Sequence, residues 1–225
     1  MPSLAFRQNE LAYLALTSKI ELVIRDRIAF YCNLHGKNIT VAREWHSSAH
    51  GKNQRTDMAI FCKNHGLFAL IETKAVYTLD AFFNPQSRDY FLNVIKKDQS
   101  KSASVASKLS VNVQTYELLF AVHPHVASGA SLNPVIKYIP KIRQCIKTHT
   151  HSYLIKAQKE ICDVLTLAKL NYETGMIQGG CEFGIDVDVM WWLIYHPNSL
   201  NGQVASICGM NLCDGVHTSP HPCIL

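Results

Sequence analysis

Apolar residues recur at helical spacing in Glu10–Leu34, where Ile20, Ile24, Ile28 and Tyr31 share one stripe with Glu21. The stripe predicts a helix, closed by Gly36. Asn38–Ser47 (NITVAREWHS) predicts a first strand. TDMAIFC and LFALIETKAVY are rich in β-formers and flank the polar turn Lys63–Gly66 (KNHG), which predicts a hairpin. Asp89–Leu109 reads as a helix with a basic face, and YELLFAVHPH as a strand buried inside a sheet. Two or so helices follow between Asn133 and Leu170, broken at Pro140, and GIDVDVMWWLIYHP reads as a last strand. From about residue 198 the chain is rich in Gly, Asn, Cys and Pro, which predicts a loop-rich tail. Helix, three-stranded meander, helix, strand, helices, strand is an α/β order, with a central mixed β-sheet flanked by helices. No repeat or linker divides it, so residues 1–225 read as one domain.

Composition narrows the class. With 48% hydrophobic and 17% charged residues in 225, the chain can bury a core, which excludes a disordered protein. A net charge of +5 permits a polyanionic partner without requiring one. Eight scattered cysteines and no charged-then-apolar leader at Met1 point to reduced thiols and a cytoplasmic location. No apolar stretch is long and clean enough to cross a bilayer, so no membrane partner is expected.

Candidate chemistry lies in the hairpin. If Cys62 pairs with Leu67 across the turn, five steps outward set Asp57 opposite Glu72, with Cβ atoms about 5 Å apart. Glu72 and Lys74 share a face because strand side chains alternate. Two carboxylates this close repel, unless a hard divalent cation such as Mg²⁺ sits between them. Lys74 can then balance the acids, or hold and deprotonate a metal-bound water, which is apparatus for phosphodiester hydrolysis. The plainer alternative is a structural salt bridge on a half-exposed strand.

Asp57, Glu72, Thr73 and Lys74 together resemble the acid, acid, variable position and lysine of the PD-(D/E)xK nuclease superfamily. The element order over about Glu10–His125 resembles that superfamily's restriction-endonuclease-like core. Thr56 stands where the motif name has proline. The resemblance implies a Mg²⁺-dependent DNA endonuclease in which Mn²⁺ can substitute, with the ion held by Asp57, Glu72 and the Thr73 carbonyl. It also implies an acid from the first helix, for which Glu21 is the candidate; the alternative for Glu21 is a surface pair with Arg25 at i,i+4. Glu44 is a weaker candidate, read as structural. The subtype implied is a type II restriction enzyme acting as a homodimer. The alternatives are a structure-specific, repair or mobile-element nuclease, and a catalytically silent DNA-binding protein of the same fold.

Other groups fit this picture less specifically. Lys96, Lys97, Lys101 and Lys108 can form a phosphate-binding face or a plain solvated one. In the Ser47–Arg55 loop, His50, Lys52, Asn53, Gln54 and Arg55 suit contacts to bases or phosphates. Asp186 and Asp188 alternate on the last strand as a rival metal pair, with no lysine or histidine at useful spacing. Cys213, His217, His221 and Cys223 are zinc-compatible types with no known spacing. Trp191 and Trp192 read as packing residues, and His123 and His125 as strand-end residues.

Overall fold

The protein is described by a computed structural model at residues 6–52, 54–64, 66–82, 85–109, 112–126, 132–148 and 151–195. Its helices are α1 (Glu10–Thr17), α2 (Ile20–His35), α3 (Thr78–Phe82), α4 (Pro85–Lys108), α5 (Ile139–Thr148) and α6 (His151–Leu167). Its strands are β1 (Ile39–Trp45), β2 (Thr56–Cys62), β3 (Gly66–Tyr77), β4 (Gln114–Val126), β5 (Asn171–Glu182) and β6 (Ile185–Tyr195).

The six strands form one mixed sheet in the order β1-β2-β3-β4-β6-β5. β1, β2 and β3 are an antiparallel meander, β4 runs parallel to β3 after the α4 crossover, and β6 and β5 close the far side antiparallel. The expected α/β architecture with a central mixed sheet is therefore present. On one face α1 and α2 cover Met58, Ile71, Phe120 and Val122. On the other, α6 packs on Leu119, Ala121, Met190 and Trp192, and Val105 of α4 packs on Ala59 and Leu70. Beyond the irregularity at Phe68, Ile71, Ala75 and Tyr77 pack on the α1–α2 side and Leu70 and Val76 on the opposite side.

Three local features differ from the sequence expectation. The first helix is two helices, because Ser18 is extended at φ −141° and its amide caps Leu14. Pro140 sits in the first turn of α5 rather than breaking a helix, since proline lacks only an N–H that is unpaired there anyway. β5 is a strand that the periodicity did not reveal. It is a polar, Gly-bearing edge strand with half of its residues exposed and only one buried, so it shows no buried stripe. Its Gly180 has φ +89°, and a Cβ there would lie 2.5 Å from the Asn9 Oδ1 that accepts the Cys181 amide, so only glycine lets α1 dock on β5.

No helix among the described residues is long and apolar enough to cross a membrane. Cys32, Cys62, Cys145, Cys162 and Cys181 are unbridged. The cysteines and histidines proposed for zinc in the tail lie outside the described residues, as does Asn53.

Candidate functional site

β2 and β3 begin pairing at Cys62 and Gly66, one residue tighter than the turn KNHG implied. A bulge at Phe68 then takes up the extra residue, so Ile60 meets Ala69 and Met58 meets Ile71. Ladder pairing ends at that rung, and Asp57 and Glu72 are the next residues outward on the two strands. β1 extends the row, since Arg43 pairs with Met58 and Trp45 with Thr56, leaving Glu44 opposite Asp57. β4 extends it the other way, with Glu117 the register partner of Glu72. Four acids, Glu44, Asp57, Glu72 and Glu117, therefore line one row across four strands.

Four neighbouring carboxylates repel unless cations lie among them, and the helices supply these. From α2, Arg25 has a side chain only 7% exposed, bonds Asp26 and Glu44, and lies 3.7 Å from Asp57 Oδ1. From α4, Lys101 Nζ lies 2.9 Å from Glu72 Oε1 and donates to the Arg55 carbonyl at 2.8 Å. Lys74 Nζ is 3.7 Å from Asp98 of α4. Glu44 adopts φ +50°, a left-handed conformation costly for a residue with a Cβ, at the rung where β1–β2 pairing lapses.

β3 outruns β2, so its edge amides beyond Ile71 need other partners. Asp57 Oδ2 accepts from the Thr73 amide at 2.7 Å and from its hydroxyl at 2.9 Å. Glu21 Oε2 accepts from the Ala75 amide at 3.1 Å. Glu21 thus turns inward to β3, and the alternative i,i+4 pair with Arg25 is not among the ion pairs of the described residues. Burial raises the Glu21 carboxyl above its ordinary range despite that amide. Along this edge the donors are all oxygen: Glu21, Asp57, Glu72 and the Thr73 carbonyl, which points the same way as its amide. Such a set suits a hard divalent cation. Among the described residues no three acid, histidine or cysteine side chains converge on one point. Asp57 leans toward Thr73 and Arg25, and Glu72 toward Lys101.

Glu117 is the site residue that sequence reasoning missed. It is 1% exposed, and neither carboxyl oxygen has a hydrogen-bond partner among the described residues. Burial, then the Asp98 and Glu72 charges, push its carboxyl up to about 8, while Lys74 opposes them. Burial likewise pushes Glu72 up to about 7, against Lys101. Groups that hold protons more tightly when folded lose stability as pH rises from the ordinary 4.5 toward those values. Glu117→Gln removes one such group. Its melting temperature should match that of the wild type near pH 5 and exceed it by pH 8, measured by thermal denaturation across that range.

The basic loop is held as much as displayed. Buried His50 takes the Ser47 amide on Nδ1 and contacts Thr56 Oγ1 through Nε2 at 3.0 Å, which explains a hydroxyl before Asp57. Gln54 Oε1 accepts the Gly51 amide. Lys52 and Arg55 are exposed, and Gln54, Arg55, Lys101 and Glu44 line an open cleft of about 620 Å³. Lys96, Lys97 and Lys108 are exposed on α4, whereas Lys101, expected beside them on a phosphate face, is turned into the acid row. Asp188 does have a histidine, supplied by the fold: His125 Nε2 lies 3.0 Å from its Oδ2 across β4 and β6.

No protein-family profile, curated protein or solved structure matches the chain.

Proposed function

We propose that the protein is a Mg²⁺-dependent endonuclease with a restriction-endonuclease-like core, hydrolysing DNA phosphodiester bonds. The observation carrying this reading is the junction of Asp57, Glu72, Lys74 and Glu21 where β3 outruns β2. Asp57, Glu72, Glu21 and the Thr73 carbonyl would hold the ion, and Mn²⁺ can take its place. Bound there, a divalent cation stabilises charge on phosphate oxygens and lowers the pKa of a water. The Thr73 amide and hydroxyl orient Asp57. Lys74 positions or deprotonates the attacking water, its ammonium reached by Asp98 on the outer side. The Glu44–Arg55 cleft and the exposed lysines of α4 give the negatively charged backbone a path to these groups.

A type II restriction enzyme acting as a homodimer on a palindromic site is the subtype proposed. Discrete fragments from plasmid incubated with Mg²⁺, and none with EDTA, support it. Cleavage confined to branched or flapped DNA favours a structure-specific, repair or mobile-element nuclease. A catalytically silent DNA-binding protein is the second reading, favoured by one observation: Lys101 already supplies a cation at Glu72.

Exposed Lys96 and Lys97 should contribute sequence-independent affinity. Replacing both with alanine should weaken binding to any duplex and lower the slope of log affinity against log salt by about 2, roughly 1 per phosphate contact. An unchanged slope in fluorescence anisotropy would remove α4 from the DNA path.

A further inference from the structure

Glu117 has no part in the acid–acid–lysine reading, yet it is placed as if for a ligand. It is the register partner of Glu72 in the parallel β3–β4 pair, on strands about 4.8 Å apart. Both residues lie on the α4 face, Glu72 in step with Leu70 and Glu117 in step with Leu119. They are 5% and 1% exposed. Neither Glu117 oxygen has a hydrogen-bond partner among the described residues, and Glu72 Oε1 faces the Lys101 ammonium at 2.9 Å. Burying a carboxylate without partners costs more than a neutral group would, so an uncompensated one is an unusual feature that calls for a cause. Hydrocarbon at position 117 would pack in the same apolar run without that cost. Asp98 of α4 acts on both glutamates electrostatically, but it does not converge with them on one point. The charge at the pair comes from Lys101 on Glu72 and from Lys74, whose field reaches Glu117.

We propose that Glu72 and Glu117 together bind a divalent cation on the α4 side of β3, where the cation replaces the Lys101 ammonium as the charge facing Glu72. A pair of carboxylates is donor chemistry suited to Mg²⁺ or Mn²⁺, and water completes such shells. Lys101 is then a built-in competitor that keeps the pair charge-balanced until the cation arrives. The inference rests on the nuclease reading for the role of Glu72, which belongs to both the Asp57–Glu72 and the Glu72–Glu117 pairs. It adds a ligand that the hairpin motif does not contain.

Calorimetric titration of Mn²⁺ into the full-length protein without DNA tests it, with folding of each variant verified by circular dichroism. Glu117→Gln should weaken Mn²⁺ binding at least tenfold, and Lys101→Met should tighten it by removing the competitor. Wild-type affinity and stoichiometry in Glu117→Gln would overturn the proposal while leaving the nuclease reading intact if Mg²⁺-dependent cleavage persists. Should Glu117→Gln not fold, Lys101→Met decides alone, and unchanged or weaker Mn²⁺ binding overturns the proposal. A wild-type protein that takes up no Mn²⁺ overturns this proposal and the nuclease reading together.

Discussion

Lys74→Ala should leave DNA bound and uncut. Its role in the proposed chemistry is to position or deprotonate the attacking water, so its loss should lower the cleavage rate by about 10²–10⁴-fold. DNA affinity should stay within about twofold, because the partner of Lys74 is Asp98 rather than the cleft. The magnitude separates this role from a structural one. A half-exposed ion pair contributes about 0–1 kcal/mol, a factor of five at most, and its loss cannot silence an enzyme. Lys74→Arg should not rescue cleavage, because a guanidinium does not readily lose a proton and its fork sets the donors elsewhere. Asp57→Ala and Glu72→Ala should also abolish cleavage, through loss of the ion. Single-turnover rates beside anisotropy with the same duplex read both quantities. Native-rate cleavage by Lys74→Ala would leave the lysine a counter-ion and remove the strongest support for hydrolysis.

Arg25→Ala should be the most destabilising change near the site. The guanidinium is buried between Asp26, Glu44 and Asp57, and removing it leaves acids facing one another beneath α2. Breaking a buried charge pair costs about 3–5 kcal/mol, and the half-exposed Asp26 and Glu44 place this case near 3. Arg25→Lys should recover only part, since one ammonium cannot reach partners that the planar fork meets together. Denaturant unfolding measures it, and a cost below about 1 kcal/mol would mean that the acid row does not need its cation.

The hairpin was legible because its two signals are local. Alternation fixed the faces of Glu72 and Lys74, and the turn fixed the register to within one residue. The bulge at Phe68 cancelled that one-residue error before the pairing reached Met58 and Ile71. Glu21 was legible because an acid on the apolar stripe of a helix has to face inward. Glu117 went unread although its signal was present: a lone acid inside the apolar run TYELLFAV. Its meaning depends on which strand lies beside β4, and a parallel neighbour reached through a 24-residue helix leaves no trace in local spacing. The same non-locality hid His125 beside Asp188 and Lys101 beside Glu72. The break at Ser18 and the strand β5 were missed for another reason. An apolar stripe continues across the first, and an exposed edge strand has no stripe to show.

Cleavage of supercoiled plasmid by wild type and Glu72→Ala, purified in parallel and assayed with Mg²⁺, tests the central claim most directly. Glu72 is the acid common to the proposed ion site and the Glu72–Glu117 pair on the α4 face. The wild type should convert the plasmid to nicked and linear forms, and the variant should leave it supercoiled while melting as a folded protein. Equal cleavage by both proteins, or none by either, would contradict a nuclease site built on Glu72.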